Sequence, residues 1–395
     1  GRLCALLGVL LVCSCGHDPS LSPTAVGSVT HQAASVAPDL SVVLTLRRGS
    51  AAPIADTHVW VRHASNGSSV AWIYGGVTDG RGKCTLPIHR NHSSGYYQFK
   101  ATHKDGTLLA RWGSIPLNGG QEVHLILDLN GQRSAYAIPL PRVRRFAIPG
   151  GDVLEMVFVS GGRFRMGSAE GEPGRDVDEG PRTGITLTEG FYVSRCEITQ
   201  RQWRRVIGTT PWRSFRETAE RFGLDDVTVA EDGDFHPAES TGWEGAQTFI
   251  DALNAHAGAA VYRLPTEAEW EYFARAGSDD RWSFGDMASD LEDYGWVRGN
   301  TEDRAEPYAH VVGAKFPNRW GLYDVYGNVA EWVQDWYRPY RGGHLTDPKG
   351  PLSGIHADRG YRSKRVIRGG SFVDAAPRSA DRSFADTEGI GSGIG

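Results

Sequence analysis

Residues 321–332 read Gly-Leu-Tyr-Asp-Val-Tyr-Gly-Asn-Val-Ala-Glu-Trp, and this stretch places two carboxylates, Asp324 and Glu331, among apolar and aromatic neighbours. Gly327, between them, allows a backbone turn. Upstream, residues 157–167 are typical of a strand, a glycine turn and a second strand. Glycine makes up 50 of the 395 residues, far above the usual share. From residue 153 onward the sequence therefore predicts short elements joined by many turns.

Three helix starts in this part of the chain share one pattern. Each has a threonine followed three residues later by glutamate or glutamine, which is the pattern of a capping box. Apolar residues then recur at helical spacing. The pairs are Thr199 with Gln202, Thr241 with Glu244, and Thr266 with Glu269. We therefore expect an α+β fold in which short amphipathic helices pack against an irregular, glycine-rich sheet.

Five motifs follow one another in this part of the chain, and together they resemble the formylglycine-generating-enzyme domain, also called sulfatase-modifying factor. The resemblance implies a C-type-lectin-related α+β fold with little regular secondary structure over residues 153–395. Members of the family usually continue with a final strand past a glycine such as Gly395, so we expect a domain truncated at its C-terminus. The motifs cover residues 161–168, 197–200, 263–272, 321–332 and 368–372.

The family's chemistry is not supported by this sequence. The resemblance implies oxidation of a substrate cysteine to formylglycine by two cysteines that follow an Arg-Gly-Gly-Ser motif, bind copper(I) and activate oxygen. Copper(I) prefers thiolate ligands. Counted from the motif at residues 368–371, Asp374 and Ser379 stand at the two cysteine positions, and no cysteine follows Cys196. We therefore expect no copper, and we assign no catalytic residue.

A calcium site is the most specific expectation that the resemblance leaves. In the family, the loop before a Glu-Trp pair binds calcium through a side chain, two main-chain carbonyls and a carboxylate. Matched residue by residue, these ligands fall on Asp324, Gly327, Val329 and Glu331. Oxygen ligands with two carboxylates suit Ca²⁺. The family usually has asparagine at the position of Asp324, so this chain carries extra negative charge there. The alternative is a tight turn that binds no metal.

A pocket is the second expectation from the resemblance. Ser371 and Arg382 match positions that border the active-site pocket of the enzymes, and Asp374 lies beside them in the sequence. These three residues are candidates to line a groove for a peptide or a small molecule. The alternative for Arg382 is a buried structural arginine paired with a carboxylate.

Three glutamates at the start of the third helix have two interpretations. Glu267, Glu269 and Glu271 form a carboxylate cluster of the kind that acid/base chemistry uses. However, Glu269 already belongs to a capping box, and negative charge is favourable in the first turn of a helix. A structural role is therefore the favoured interpretation.

The N-terminus has the pattern of a secretion signal. Residues 3–12 form an apolar stretch that is too short to span a membrane. The following Val12-Cys13-Ser14-Cys15 resembles a bacterial lipobox in which Cys15 is lipidated. We therefore expect a signal peptide with a lipobox at residues 1–15 and a flexible tether at residues 16–38. The protein would be secreted across the inner membrane and lipid-anchored to the cell envelope; a plain signal, with a periplasmic or extracellular protein, is the alternative.

Two further segments lie between the tether and residue 153. Residues 39–130 alternate in the manner of short strands separated by turns, which predicts an all-β antiparallel sandwich. Residues 78–86 and 95–97 resemble the hairpin of carboxypeptidase-regulatory-like domains, which serve as spacers or docking surfaces. Residues 131–152, with prolines and a basic run, predict a linker.

Charge and hydropathy restrict the partners. The chain has 42 Lys and Arg against 47 Asp and Glu, a net charge of −5, so we expect no nucleic-acid partner. It has no run of 18 apolar residues, so membrane association is expected through the lipid anchor alone. An envelope protein or a peptide is the expected ligand.

The favoured function is that of a cell-envelope lipoprotein whose sulfatase-modifying-factor-like domain lacks the copper cysteines and has a non-catalytic binding or structural role. The alternative is an enzyme of the family with altered oxidative or peptide-tailoring chemistry. Ordinary formylglycine generation, with sulfur supplied by a partner subunit, is the least favoured hypothesis.

Overall fold

The computed structural model describes thirteen stretches of the chain, and the chain divides into two compact units. The larger unit consists of residues 1–25 and 142–395, and the smaller of residues 26–141. The described stretches are residues 7–14, 40–45, 57–63, 73–77, 83–88, 94–102, 108–118, 121–127, 133–139, 142–214, 233–301, 306–351 and 364–387.

Short strands dominate the described residues. In chain order they are β1 (Leu7–Gly8), β2 (Val12–Ser14), β3 (Leu40–Thr45), β4 (His58–His63), β5 (Ile73–Val77), β6 (Lys83–Ile88), β7 (Ser94–Thr102), β8 (Leu108–Asn118), β9 (Gln121–Leu127), β10 (Arg133–Pro139), β11 (Val143–Ile148), β12 (Asp152–Val159), β13 (Gly162–Met166), β14 (Thr183–Leu187), β15 (Phe191–Ser194), β16 (Tyr262–Arg263), β17 (Ala330–Trp336), β18 (His344–Thr346), β19 (Lys364–Arg368) and β20 (Arg382–Asp386).

The helices are few and short. They include α1 (Gln200–Ile207), α2 (Trp243–Ala257), α3 (Glu267–Arg275) and α4 (Leu291–Tyr294), with 3₁₀ turns at Pro149–Gly151, Val177–Glu179, Ala288–Asp290 and Arg298–Asn300. Of the helices that the structure describes, none has the length and apolar character needed to cross a membrane.

The smaller unit is built from antiparallel strands. Its described strands form sheets of order β5-β4-β7-β8, β3-β6 and β9-β10. Across β4 and β7, Val59 pairs with Ala101 and Val61 with Phe99, and all four side chains are buried. This alternation is the pattern from which the sequence predicts strands. The packing of the sheets as a sandwich stays a prediction, and residues 78–82 of the predicted hairpin lie outside the described residues.

The larger unit contains three sheets, as far as its described residues show. Their strand orders are β11-β12-β15-β2-β16, β1-β17-β19-β20 and β13-β14-β18. Mixed short sheets with short helices agree with the α+β fold and low regular structure expected from the sequence.

Helix capping follows the sequence in two of three cases. Thr199 caps α1 with Gln202, and Thr266 caps α3 with Glu269, each as a complete capping box. The third predicted box is wrong, because α2 begins one residue later than the pattern indicates. Its N-cap is Gly242, and the carbonyl of Thr241 instead accepts a hydrogen bond from Trp332 Nε1 (2.8 Å).

Strands extend into the predicted linker. Residues 133–139 form β10, and residues 143–148 form β11, which pairs with β12. On β11, Phe146 and Ile148 are buried, whereas residues 143–145 are exposed. Because alternate side chains of β11 are buried in the core, this strand is part of a sheet. Most of residues 131–152 therefore lie in strands, and the linker is shorter than the sequence analysis expects.

The apolar N-terminal segment lies inside the larger unit. β1 pairs in parallel with β17, and β2 lies between β15 and β16. Residues 9–13 are all buried. The sequence analysis assigns these residues to a cleaved leader, whereas the structure shows the chain that still carries them. Cys15 and the tether of residues 16–38 lie outside the described residues, so the leader and its lipidation stay predictions.

Helix α3 is buried along its whole length, although it carries three glutamates. Each glutamate is paired with arginine. Glu269 is bidentate with Arg263, at 2.7 Å for both bonds. Glu271 accepts from Arg275 Nε (2.8 Å) and from Arg368 Nη2 (2.6 Å). The structural interpretation of the glutamate cluster is therefore confirmed for these two residues, and the partner of Glu267 is described with the site below.

Candidate functional site

The loop at residues 324–329 has a backbone that few residue types can adopt. Asp324 and Asn328 have positive φ angles of 57° and 56°, and Gly327 has φ of 82°. A Cβ atom at position 327 would lie 2.0 Å from the carbonyl oxygen of Trp296, so only glycine fits there. Asparagine and aspartate tolerate the left-handed region better than most other residues do. The residues at positions 324, 327 and 328 of the motif thus suit the backbone of the loop.

Hydrogen bonds attach this loop to two neighbouring segments. Gly327 N–H donates to Gly369 O (2.9 Å), and Asn328 N–H donates to Trp296 O (2.8 Å). In return, Phe372 N–H donates to Asn328 O (3.0 Å). The calcium loop of the sequence analysis is therefore joined directly to the Arg-Gly-Gly-Ser segment.

The two predicted carboxylate ligands are buried at either end of the loop. Asp324 Oδ2 accepts a hydrogen bond from Gly313 N–H (2.5 Å). Glu331 Oε2 accepts one from Trp270 Nε1 (2.5 Å), and its other oxygen, Oε1, has no hydrogen-bond partner. A fully buried carboxylate oxygen without a donor is costly. Glu331 therefore needs either a proton or a cation.

A third carboxylate, Glu197, belongs to the same cluster. Its Oε2 accepts from Asn328 Nδ2 (3.3 Å) and its carboxylate also accepts from the N–H of Val329, while Oε1 has no partner. The sequence analysis quotes this residue in a motif but assigns it no role. The sequence holds no clear signal for it, because β15 ends at Ser194 and the partly buried Arg195 interrupts the alternation between Val193 and Glu197.

Burial and mutual repulsion disfavour the charged forms of these carboxylates. Burial, and then the charges of Asp324 and Glu331, raise the pKa of Glu197 well above its usual range. Burial also raises the pKa of Glu331 to about 8, with the Trp270 indole opposing the increase and Asp324 adding to it. Neither Glu197 nor Glu331 forms an ion pair in the part of the chain that the structure describes. The burial of these carboxylates is therefore offset either by protonation or by a bound cation.

The donor set fits calcium. Asp324 and Glu331 provide hard anionic oxygens, and the resemblance assigns the main-chain carbonyl oxygens of Gly327 and Val329 to the same site. Although Glu197, Asp324 and Glu331 lie near one another, no group of three or more His, Cys, Asp or Glu side chains among the described residues is placed so that it could hold a metal ion. A calcium site of two carboxylates with main-chain oxygens stays a prediction.

The two positions of the family's cysteines are occupied by residues with structural contacts. Asp374 is exposed, and its Oδ2 accepts from both Ser371 N–H and Ser371 Oγ (2.8 Å each). Ser379 is buried, and its Oγ lies 2.9 Å from the hydroxyl of Tyr326. Neither side chain is a soft ligand, so the residues present do not fit copper(I).

Arg382 is bound to a carboxylate. Its Nε and Nη2 atoms donate to the two oxygens of Glu267, both at 2.8 Å, and Nη1 donates to Arg338 O (2.8 Å). This is the alternative that the sequence analysis left open for Arg382. Ser371 and Asp374 are bonded to each other, whereas Arg382 makes its hydrogen bonds elsewhere.

A cavity of about 470 Å³ opens at another place in the larger unit. Its lining includes Leu187, Arg263, Glu269, Asp347 and Lys349, and it includes none of the three predicted pocket residues. Three of the charged groups at its wall are bonded within the protein: Arg263 pairs with Glu269, and Asp347 accepts from Thr188. We therefore assign it no ligand.

Comparison with known proteins identifies relatives of the larger unit. The family described as "Sulfatase-modifying factor enzyme 1-like domain" matches residues 147–395. The formylglycine-generating enzyme of Thermomonospora curvata is 30% identical, and the match covers 55% of this chain and 82% of that protein. The chaperone protein LppX of Paenibacillus barcinonensis is 23% identical, over 60% of this chain and 86% of that protein.

A solved structure has the same fold. Treponema denticola variable protein 1 matches with a TM-score of 0.50 and 23% sequence identity, over 63% of this chain and 95% of that chain. At this identity the likeness concerns the fold alone.

Removal of calcium should destabilise the protein. A site held at 100 times its dissociation constant adds about 2.7 kcal/mol to the free energy of unfolding. Since each kcal/mol moves the midpoint by about 2–4 °C for a unit of this size, a chelator should lower the melting temperature by about 5–10 °C. Thermal unfolding followed by circular dichroism, with and without added calcium, measures this shift.

The variants Glu331→Gln and Asp335→Asn make a matched pair for that experiment, because both remove a buried carboxylate from β17. Glu331→Gln should abolish the response to calcium, and Asp335→Asn should keep it. Protein that contains no calcium by metal analysis, and whose midpoint does not change when calcium is added, would mean that the loop is only a turn.

Loss of Arg382 should destabilise the larger unit. Arg382→Met removes the two-bond ion pair of the buried Glu267 and leaves it only the longer contact with Arg368 Nη1 (3.8 Å), and breaking a buried pair costs about 3–5 kcal/mol. The double variant Glu267→Gln/Arg382→Met should recover part of this loss, and the exposed control Arg341→Met should change stability by less than about 0.5 kcal/mol. Denaturant unfolding measures all three. Wild-type stability of Arg382→Met would contradict a structural role.

Proposed function

Because the chain belongs to the sulfatase-modifying factor enzyme family, we propose that its family domain has kept the fold but serves binding instead of catalysis, as part of a lipoprotein of the bacterial cell envelope. The proposal has three parts: loss of the copper chemistry, a structural calcium ion, and an N-terminal lipid anchor. Each rests on different residues and is tested separately.

The observation that carries the first part is the pair at positions 374 and 379. Formylglycine generation by the family's route depends on two thiolates. Asp374 instead holds the turn at Ser371, and Ser379 is engaged with Tyr326 in the core. The sequence has no cysteine after Cys196, so no other thiol in this part of the chain can replace the two thiolates. A carboxylate and a hydroxyl do not form a dithiolate copper site.

A binding role has support from the relatives. One of them, similar to this chain over 86% of its own length, is named a chaperone protein. The same comparison includes a formylglycine-generating enzyme at 30% identity. The residues at positions 374 and 379 favour the first kind of relative for this chain.

The structural calcium ion would be held by Asp324 and Glu331 with main-chain oxygens at Gly327 and Val329. When bound, it supplies positive charge that lets the buried carboxylates stay ionised. Hydrogen bonds within the chain position the two carboxylates: Trp270 orients Glu331, and Gly313 orients Asp324. The loop is then fixed against the segment of residues 369–372.

The anchor would place the protein at the envelope. A leader ending in a lipobox, followed by the small and proline-rich residues of the tether, is typical of a lipoprotein held at a distance from its membrane. The strands of the smaller unit would then act as a spacer or docking surface. The ligand expected is an envelope protein or a peptide.

A peptide with the sulfatase motif Cys-x-Pro-x-Arg should stay unmodified. Incubated with this protein, copper and oxygen, it should keep its mass, because no thiolate pair is present to activate oxygen. Mass spectrometry checks this outcome, and the Thermomonospora curvata enzyme under the same conditions is the positive control. A loss of mass corresponding to conversion of the thiol to an aldehyde would overturn the non-catalytic assignment.

Cys15 should carry lipid. The chain expressed in a bacterial host with a labelled fatty acid should become labelled, and Cys15→Ala should not, since the thiol that accepts the lipid is gone. Cys13→Ala is the matched control, and it should remain labelled. Labelling that persists in Cys15→Ala would show that the lipobox is assigned wrongly.

A further inference from the structure

We propose that residues 344–349 form a strap that opens and closes over the cavity beside α3, and that Asp335, beneath one of the strap's two hinges, controls the opening. The inference goes beyond the proposed function and does not depend on it. It concerns a movement within the larger unit, and it uses none of the residues of the calcium site, the lipid anchor or the cysteine positions.

The strap forms part of the cavity wall. Asp347, Pro348 and Lys349 belong to the lining of the cavity of about 470 Å³. The remaining lining comes from residues 187–191, from Arg263 on β16, from the N-terminal end of α3 and from β17. All of these other elements belong to the sheets and the helix of the larger unit. A movement of the strap alone would therefore change access to the cavity.

Glycines with positive φ angles stand at both ends of the strap. Gly342 and Gly343 precede it, with φ of 71° and 83°, and Gly350 follows it, with φ of 70°. Glycine adopts this region without the strain that other residues have there. A Cβ atom at position 343 would meet no atom within 4 Å, so the first hinge also has open space around it. The two ends are thus suited to absorb a change of backbone direction.

The strap is attached mainly by hydrogen bonds at the surface. All three residues of β18 are exposed, and its apolar side chain, Leu345, is 46% exposed. Asp347 N–H donates to Thr186 O (2.9 Å), and the carboxylate of Asp347 accepts from Thr188 N–H (2.8 Å) and Thr188 Oγ1 (2.6 Å). An element with solvent-exposed hydrogen bonds and little buried apolar surface opens at low cost in free energy.

Asp335 lies directly beneath the second hinge. A Cβ atom at position 350 would lie only 2.3 Å from Asp335 Oδ1, so the glycine is in close contact with the carboxylate. Asp335 is 6% exposed, and its Oδ2 accepts a hydrogen bond from Glu267 N–H (2.9 Å). Gly350 therefore covers Asp335 while the strap is closed, and an opening at this hinge would expose the carboxylate to water.

The environment of Asp335 makes this contact sensitive to pH. Burial raises the pKa of Asp335 to about 7; the charges of Glu267 and Glu269 on α3 add to the increase, and the N–H of Glu267 and the charge of Arg382 on β20 oppose it. Arg365 on β19 is a further cation near it. Exposure to water would return the pKa towards its ordinary value, so the closed strap binds the proton more tightly. The closed form therefore loses stability as the pH rises from about 4 to about 7.

The experiment measures amide hydrogen exchange of the intact chain by NMR. The reporters are the amides of Thr188 and Asp347, whose hydrogen bonds join the strap to β14, and the control is the amide of Trp203, which donates to Thr199 O in α1. Rates are corrected for the intrinsic pH dependence of exchange. We expect the reporters to be less protected than the control. Since a pH unit between the two pKa values changes the opening equilibrium by up to about tenfold, reporter protection should fall at least about threefold between about pH 5 and about pH 7.5.

Two substitutions of aspartate separate the strap from its control. Asp335→Asn keeps an acceptor for Glu267 N–H but cannot ionise, so the reporters should lose their pH dependence and keep their protection. The matched control Asp251→Asn, at an exposed position of α2, should behave as the wild type does. Asp347→Ala removes both bonds to Thr188 and should lower the protection of the amide at position 347 roughly tenfold, with the pH dependence retained.

A substitution at the second hinge tests the same contact from its other side. The Cβ atom of Gly350→Ala would collide with Asp335, so the strap should not close over the carboxylate. Reporter protection should then be low and independent of pH. Gly171→Ala is the matched control, because Gly171 also has a positive φ, of 83°, but a Cβ atom there meets nothing within 4 Å. This variant should keep the pH dependence of the wild type.

The outcomes decide the two parts of the proposal separately. Reporter amides that are as well protected as that of Trp203 at every pH would overturn the strap. Reporter protection that does not vary with pH in the wild type, or that varies equally in Asp335→Asn and in Gly350→Ala, would overturn control by Asp335. A pH dependence that is present in the wild type and in both matched controls, and absent from these two variants, supports both parts.

Discussion

The larger unit depends on the neutralisation of one buried helix. α3 brings Glu267, Glu269 and Glu271 into an apolar core, which is costly unless each charge is paired and hydrogen-bonded. The cations come from separate parts of the chain: Arg263 from β16, Arg368 from β19 and Arg382 from the start of β20. Each pair therefore fixes a strand relative to the helix. The arginine of the Arg-Gly-Gly-Ser segment has this structural task, independent of any chemistry nearby.

A second group of buried carboxylates in the same unit, beside the loop at residues 324–329, has a different environment. Glu197 and Glu331 form no ion pair in the described residues, and the pKa of each is raised by burial and by neighbouring negative charge. Arginine side chains thus neutralise the glutamates of α3, whereas the carboxylates beside the loop must be neutralised by protons or by a metal ion. The first arrangement depends only on folding. The second makes folding responsive to what the solution supplies, which is why calcium and not arginine is proposed there.

Patterns within a few residues predicted the helix caps. Features that depend on contacts between distant residues could not be predicted from such patterns. The boxes at Thr199 and Thr266 follow from spacing alone, whereas the start of α2 depends on a contact between Thr241 and Trp332, 91 residues apart. Glu197 could not be recognised as part of the cluster because its partners lie more than 100 residues away. An apolar run at the N-terminus has the same pattern as a leader and as a buried strand, so periodicity cannot distinguish them. The family resemblance, in contrast, rested on five separated motifs and identified the domain.

The loop at residues 324–329 has a consequence for how such proteins are recognised. Its glycine at 327 is required by the approach of a neighbouring carbonyl, and its left-handed residues favour aspartate and asparagine. These demands come from folding and persist whether or not a reaction takes place. A family member that loses its chemistry is therefore free to change positions such as 374 and 379 while it keeps the motifs by which it is detected. Motif searches for this family therefore identify the fold. Whether a member has kept the family's activity has to be judged from the two positions where the cysteines would stand.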